Sequence, residues 1–133
     1  NREKPLWTYF STYLSPRECL HTAILVSDLE KAEHFYGDIL GLEKVDRPLK
    51  YPGVWYQIGN YQIHLMVHSG FNFSLSNQEK WGRNHHFALG TDNLNDIINR
   101  LEGYGHPVQM SQSGRAACFT KDFDGNVIEI NQL

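Results

Sequence analysis

The chain repeats itself, and the repeat limits what it can fold into. His21-Thr-Ala-Ile and His86-Phe-Ala-Leu stand at an offset of 65, as do Leu29 and Leu94, and as do His64 and Glu129 (21 to 86, 29 to 94, 64 to 129). Separate stretches that agree on one shift point to a duplicated unit. Within 133 residues, 41% of them hydrophobic, there is room for one compact core or for two small units sharing one.

Each unit reads as β-α-β-β-β. Residues 19–26 are β-favouring and apolar and predict a strand with Leu20, Thr22, Ile24 and Val26 on one face and His21, Ala23 and Leu25 on the other. Ser27-Asp-Leu-Glu30 has the form of a capping box, and Leu29, Ala32, Tyr36 and Ile39 follow at helical spacing until Gly41 supplies a stop. A short strand at 42–46, a loop with two prolines and a glycine at 47–53, and a hairpin of 54–58 and 61–67 around Gly59-Asn60 complete the first unit. In the second unit Leu94, Ile97, Ile98 and Leu101 form a helical stripe ended by Gly103 and Gly105, and strands are expected at 108–112, 116–120 and 126–131. The division expected is an N-terminal arm at 1–18, with interleaved Trp7, Tyr9, Phe10 and Tyr13 that pack on the domain or on a partner chain, and a single domain at 19–133. Within it lie one module at about 19–67, a Ser, Asn and Gly-rich connector at 68–84 and a second module at 85–133.

Four polar residues stand out against this pattern. Ile63 and Leu65 flank His64, and Ile128 and Ile130 flank Glu129 after the Asp122-Phe-Asp-Gly-Asn126 turn, so a polar group is held where a strand should be packed. If each unit buries its Ile/Leu face under its helix, then His21, His64, His86 and Glu129 all project from the opposite face. Taken singly, each reads as a structural or solvent-facing residue. Taken together, at matching positions of two units, three imidazoles and a carboxylate suit a Zn²⁺, Fe²⁺, Ni²⁺, Mn²⁺ or Co²⁺ ion. His34, His68, His85 and His106 lack this placement. Arg47 and Arg115 are candidate holders of a substrate carboxylate or phosphate, although each also reads as a solvated surface arginine. Trp55, Trp81 and Phe119 are aromatics of a pocket or of the core.

Composition removes other classes of function. Twelve basic residues against 15 acidic ones give a formal charge of −3, with no basic run to meet nucleic acid. No apolar run approaches the ~20 residues of a membrane span. Cys19 and Cys118 form no CxxC and no disulfide framework, so a reducing compartment, the cytoplasm, is expected. The chain begins at Asn1 rather than Met, consistent with a trimmed upstream segment. A small molecule is the partner these observations favour.

The segments His21-Thr-Ala-Ile-Leu-Val-Ser-Asp-Leu, Phe35-Tyr-Gly-Asp-Ile-Leu-Gly-Leu, His86-Phe-Ala-Leu and Asp122-Phe-Asp-Gly-Asn-Val-Ile-Glu resemble the vicinal oxygen chelate superfamily. That superfamily includes glyoxalase I, fosfomycin-resistance enzymes, extradiol dioxygenases and bleomycin-resistance proteins. The resemblance runs from about His21 to Asn131 and is most marked toward glyoxalase-like proteins of plants and cyanobacteria, which are similar in the Gln62-Ile-His-Leu segment. It implies an α+β fold of two paired β-α-β-β-β modules forming a half-open curved sheet around a metal site, and a homodimer. It places metal ligands at His21, His86 and Glu129. At the position of His64 glyoxalase I has a metal-binding glutamate that takes part in proton transfer, and at the position of Leu25 it has an arginine that contacts glutathione.

The chemistry so implied is chelation of two neighbouring substrate oxygens by a divalent ion, which stabilises an enediolate while a carbon-bound proton is removed. His64 or Glu129 serves as the base, Glu129 if His64 is itself a ligand. Three functions follow: a metal-dependent glyoxalase-like lyase or isomerase, a ferrous extradiol-type dioxygenase built on the His21, His86 and Glu129 triad, or a binding protein of the resistance type that sequesters a small molecule.

Overall fold

A computed structural model describes residues 3–8 and 14–133. The aromatic arm expected at 1–18 falls partly outside these residues, since Tyr9, Phe10 and Tyr13 are not among them; of its described part, Leu6, Trp7 and Leu14 are exposed. Two four-stranded sheets make up the domain, and neither is closed. The first has β1 (His21–Val26), β2 (Glu43–Val45), β3 (Gly53–Ile58) and β4 (Tyr61–Val67) in the order β1-β4-β3-β2. The second repeats it with β5 (His86–Thr91), β6 (Val108–Met110), β7 (Ala117–Lys121) and β8 (Val127–Gln132) in the order β5-β8-β7-β6. In each sheet the first and last strands are parallel and the remaining pairs antiparallel. This is the paired β-α-β-β-β architecture expected of the sequence.

The helices depart from expectation in two details. Asp28, not Ser27, caps α1 (Leu29–Glu33) by accepting a hydrogen bond from the Lys31 backbone N–H. Ser27 is drawn away: its N–H donates to Asp124 Oδ2 at 3.0 Å, across to the second unit. Nor does α1 run on as a regular helix, because residues His34–Ile39 form a wider i→i+5 turn in which the Leu40 N–H reaches the Phe35 carbonyl at 2.9 Å. Phe35, Tyr36 and Ile39 are all fully buried there, an inward face wide enough to include two consecutive aromatic rings. In the second unit α2 (Leu94–Gly103) is regular and capped by Asn93.

One apolar cluster serves both units: Ile24, Val26, Ile63 and Leu65 from the first sheet and Ile128 and Ile130 from the second belong to it with the helical residues. The strand register puts the alternate residues on the other face of each sheet. His21 and Ala23 lie beside Gln62 and His64, with Trp55 across from His64. Ala88 lies beside Glu129, with Phe119 across from it.

A polar clasp joins the units at the Asp122 to Asn126 turn. Asp122, only 7% exposed, accepts hydrogen bonds from the Asp124 and Asn126 backbone N–H groups, from Asn126 Nδ2, and from Tyr36 Oη of the first unit at 2.7 Å. Asn126 Nδ2 also donates to the Leu25 carbonyl at 2.9 Å. Gly125, at φ +87, makes the turn that only glycine adopts without strain.

Candidate functional site

The four residues picked out by the repeat fall into two pairs, one on each sheet. His21 and His64 stack with ring centroids 4.0 Å apart and planes 11° from parallel; Trp55 stacks on the far side of His64 at 4.2 Å and 8°. The sandwich follows from register, since His64 is flanked by β1 on one side and by Trp55 of β3 on the other. Burial, then His21, then the Arg47 charge hold the His64 pKa below the ordinary imidazole value, so His64 is neutral at neutral pH. Its Nε2 lies 2.7 Å from Gln62 Oε1.

On the second sheet, His86 Nε2 lies 3.6 Å from Glu129 Oε1, the two side chains 23% and 11% exposed. His86 Nδ1 is 2.7 Å from the Asn84 backbone carbonyl. A carbonyl only accepts, so Nδ1 carries a proton, and in the neutral ring the Nε2 lone pair is on the side of Glu129. Asn84 is itself buried and bonded twice to the Asn77 backbone, which fixes the carbonyl that fixes the ring. Glu129 is braced from both flanks, by Asn131 Nδ2 at 2.7 Å on Oε2 and Arg115 Nη2 at 3.5 Å on Oε1. Phe119 meets the His86 ring edge to face at 5.6 Å.

Whether these residues suit a divalent ion differs between the pairs. Two ligands each ~2.0–2.1 Å from a tetrahedral ion stand about 3.4 Å apart, so the 3.6 Å between His86 Nε2 and Glu129 Oε1 fits two adjacent positions of one shell. The backbone-anchored imidazole is the usual outer-sphere support of a metal-binding histidine. His21 and His64 do not fit in the same way. A ring-nitrogen lone pair lies in the ring plane, and two nearly parallel planes 4.0 Å apart contain no common point near both rings. Among the described residues no group of three or more His, Cys, Asp or Glu is placed to hold one ion. Thus the chain brings His21 to His64 and His86 to Glu129, and leaves the two pairs apart.

Arg47 lies beside the first pair. Its guanidinium covers the Tyr51 ring at 4.4 Å and donates to the Leu49 and Tyr51 carbonyls, while its buried Nε has no protein partner. It rests over Gly53, where a Cβ would come within 2.9 Å of it. Of the aromatics, Trp55 belongs to the histidine stack, Phe119 to the Glu129 face, and Trp81 lies under the Lys121 ammonium at 4.5 Å. An apolar cleft of about 360 Å³ opens between β1 and β5, walled by Phe71, Phe73 and Phe87 and reaching His86. Gln62, Asn84 and Asn131 are the partners that sequence reading passed over. For two of them a signal existed: Gln62 and Asn131 each stand two residues from His64 and Glu129 on the same strand, hence on the same face.

Comparison with known proteins agrees with this architecture. A mitochondrial methylmalonyl-CoA epimerase of Homo sapiens is 29% identical over 84% of this chain and 72% of its own length. A lactoylglutathione lyase of Arabidopsis thaliana is 26% identical over 87% of this chain, which spans only 44% of that protein. The crystal structure of a lactoylglutathione lyase from Agrobacterium tumefaciens superposes with a TM-score of 0.62 at 26% identity, covering 89% of this chain and 95% of the other. Residues 19–130 match the model of one family, and on that match the chain belongs to the Glyoxalase/Bleomycin resistance protein/Dioxygenase superfamily.

Proposed function

We propose that this chain is a metal-dependent enzyme of the glyoxalase type, a lyase or isomerase that moves a proton on a carbon next to a substrate oxygen. The observation that carries the reading is the His86 and Glu129 pair: an imidazole whose proton is committed to the Asn84 carbonyl presents its lone pair 3.6 Å from a braced carboxylate oxygen. The similarity to proteins named as a lyase and an epimerase supports the same class of reaction. His86, Glu129 and His21 would hold the ion, drawn from Zn²⁺, Ni²⁺, Fe²⁺, Mn²⁺ or Co²⁺. When bound, it supplies Lewis-acid polarisation of neighbouring substrate oxygens. His64, neutral and held in its stack, takes the substrate proton, with Glu129 as the alternative base. Arg47 and Arg115 stand beside the two pairs as holders of an anionic substrate group.

Completion of the site calls for a second copy of the chain. His21 and His86 sit on β1 and β5, edge strands each paired on one side only; His21 is exposed, and the His86 side chain is 23% exposed. A homodimer that sets the β1/β4 pair of one protomer against the β5/β8 pair of its partner gives one shell three ligands and a base.

Elemental analysis of protein purified without added metal, beside His86→Ala and Glu129→Ala, tests the reading. The wild type is expected to hold about one divalent ion per site and to isomerise a hemithioacetal or exchange the α-proton of a thioester, and both variants to lose ion and turnover together. Full metal stoichiometry in both variants would refute the assignment. Iron with oxygen uptake on catechols would instead identify a dioxygenase.

A further inference from the structure

The side chains around His64 form a directed chain of hydrogen bonds that begins at the tip of the β3–β4 hairpin. Gln57 Nε2 lies 2.7 Å from the Gly59 backbone carbonyl, Gln62 Nε2 lies 2.7 Å from Gln57 Oε1, and His64 Nε2 lies 2.7 Å from Gln62 Oε1. Each amide alone has two orientations, but the chain has only one. The Gly59 carbonyl is a pure acceptor, so Gln57 must present its NH₂ to it and its oxygen to Gln62. Gln62 then presents its own NH₂ to Gln57 and its oxygen to His64. An amide oxygen cannot donate, so the proton between them belongs to His64 Nε2.

Ring orientation is constrained independently. Trp55 at 4.2 Å and His21 at 4.0 Å hold the plane of His64 between them, within 8° and 11° of parallel. The stack sets the plane, and the amide chain sets which nitrogen faces Gln62. We propose that Gln57 and Gln62 are positioning residues that lock His64 in its Nε2–H tautomer, leaving Nδ1 as the one lone pair with which His64 can accept a substrate proton. The proposal rests on the reading of His64 as a base of this site. It also makes the two units complementary: His86, protonated at Nδ1, offers Nε2, whereas His64 offers Nδ1.

Reversing the tautomer turns a donor into a lone pair facing the Gln62 oxygen. Rotating Gln62 to suit faces its oxygen on the Gln57 oxygen, and rotating both sets the Gln57 oxygen against the Gly59 carbonyl. At every step one hydrogen bond becomes a repulsion, so the locked form is favoured on the order of tenfold or more. Gln57 is hydrogen-bonded to Gln62 and not to His64, yet it decides the orientation of the residue that is.

Two-bond ¹H–¹⁵N correlation spectra of the imidazoles test this on the full chain, above the ordinary imidazole pKa of about 6.5. Wild-type His64 is expected to show a protonated Nε2 and an unprotonated Nδ1. Gln57→Leu frees Gln62 to rotate and is expected to produce a mixture of tautomers, although the substituted side chain makes no hydrogen bond to the ring. Gln62→Glu keeps an acceptor on His64 and is expected to retain Nε2–H without help from Gln57, which separates the orientation of the amide from the fold of the hairpin. A wild-type ring protonated at Nδ1, or a Gln57→Leu protein with the wild-type tautomer ratio, would overturn the proposal. The spectra need neither metal nor substrate, so a protein that shows the lock but turns nothing over would remove the functional reading and leave the lock standing.

Discussion

Small residues decide what the site face can carry. A Cβ at Gly53 would lie 2.4 Å from the Leu65 carbonyl and 2.9 Å from the Arg47 guanidinium, so the glycine lets β3 approach β4 and leaves a seat for the arginine. Gly53→Ala is expected to lower stability by about 1–3 kcal/mol, the usual range for overpacking. Gly70→Ala, in open space at φ +88, should cost only about 1 kcal/mol of backbone strain. Urea denaturation of the two variants measures the difference, and equal losses would show that the contact with Leu65 and Arg47 is readily relieved. At the same scale the substrate-holding role proposed for Arg115 would compete with the contact it already makes. Its guanidinium partly neutralises Glu129 at 3.5 Å, and a substrate anion drawing it away would return negative charge to that carboxylate.

Among the elements, the turn at Asp122 to Asn126 does more than start a strand. Burial raises the Asp122 pKa, opposed by hydrogen bonds from Asn126, Tyr36 and the local backbone. Relative to the unfolded chain, its contribution is therefore fully present below the unfolded carboxyl pKa of about 3.9 and is lost as pH rises through the higher folded value. Tyr36→Phe deletes a bond that favours the ionised form, so the carboxyl rises further in the variant. The variant is expected to lose about 1–3 kcal/mol near neutrality, and the gap from wild type should close as pH falls and Asp122 protonates. Thermal melts across that range check the sign; a gap that widens toward acid would contradict it. The clasp also shows where sequence reading reached its limit. Alternation placed His64 and Glu129 on one face and the offset of 65 tied them to His21 and His86, because both signals are local or periodic. The contacts of Tyr36 with Asp122 and Ser27 with Asp124 span 86 and 97 positions, and no local pattern reports them. For the same reason Ser27 read as a helix cap, whereas its partner in the folded chain is an aspartate of the other unit. The Trp55 and His21 sandwich was likewise hidden, since it depends on the registers of two strand pairs at once.

For the whole molecule, duplication supplies two matching groups of polar residues, which the proposed function takes as halves of one site. The chain places one pair on the β1/β4 face and the other on the β5/β8 face, and β1 exposes Leu25 four residues along the same face from His21. If two protomers complete each other, the halves of one site come from different chains, and mixing variants can restore activity that neither has alone. His21→Ala removes a ligand from the first half and Glu129→Ala one from the second. In a heterodimer of the two variants, one composite site receives both defects and the other receives none. Random reassortment makes half of the dimers mixed, each with one intact site of two, so co-refolded protein is expected to recover about a quarter of wild-type turnover and metal content. Because a site enclosed within one chain would give no recovery at any mixing ratio, the recovered fraction decides between the two assemblies, and its bell-shaped dependence on the ratio, highest at equal amounts, identifies the mixed dimer as the active species.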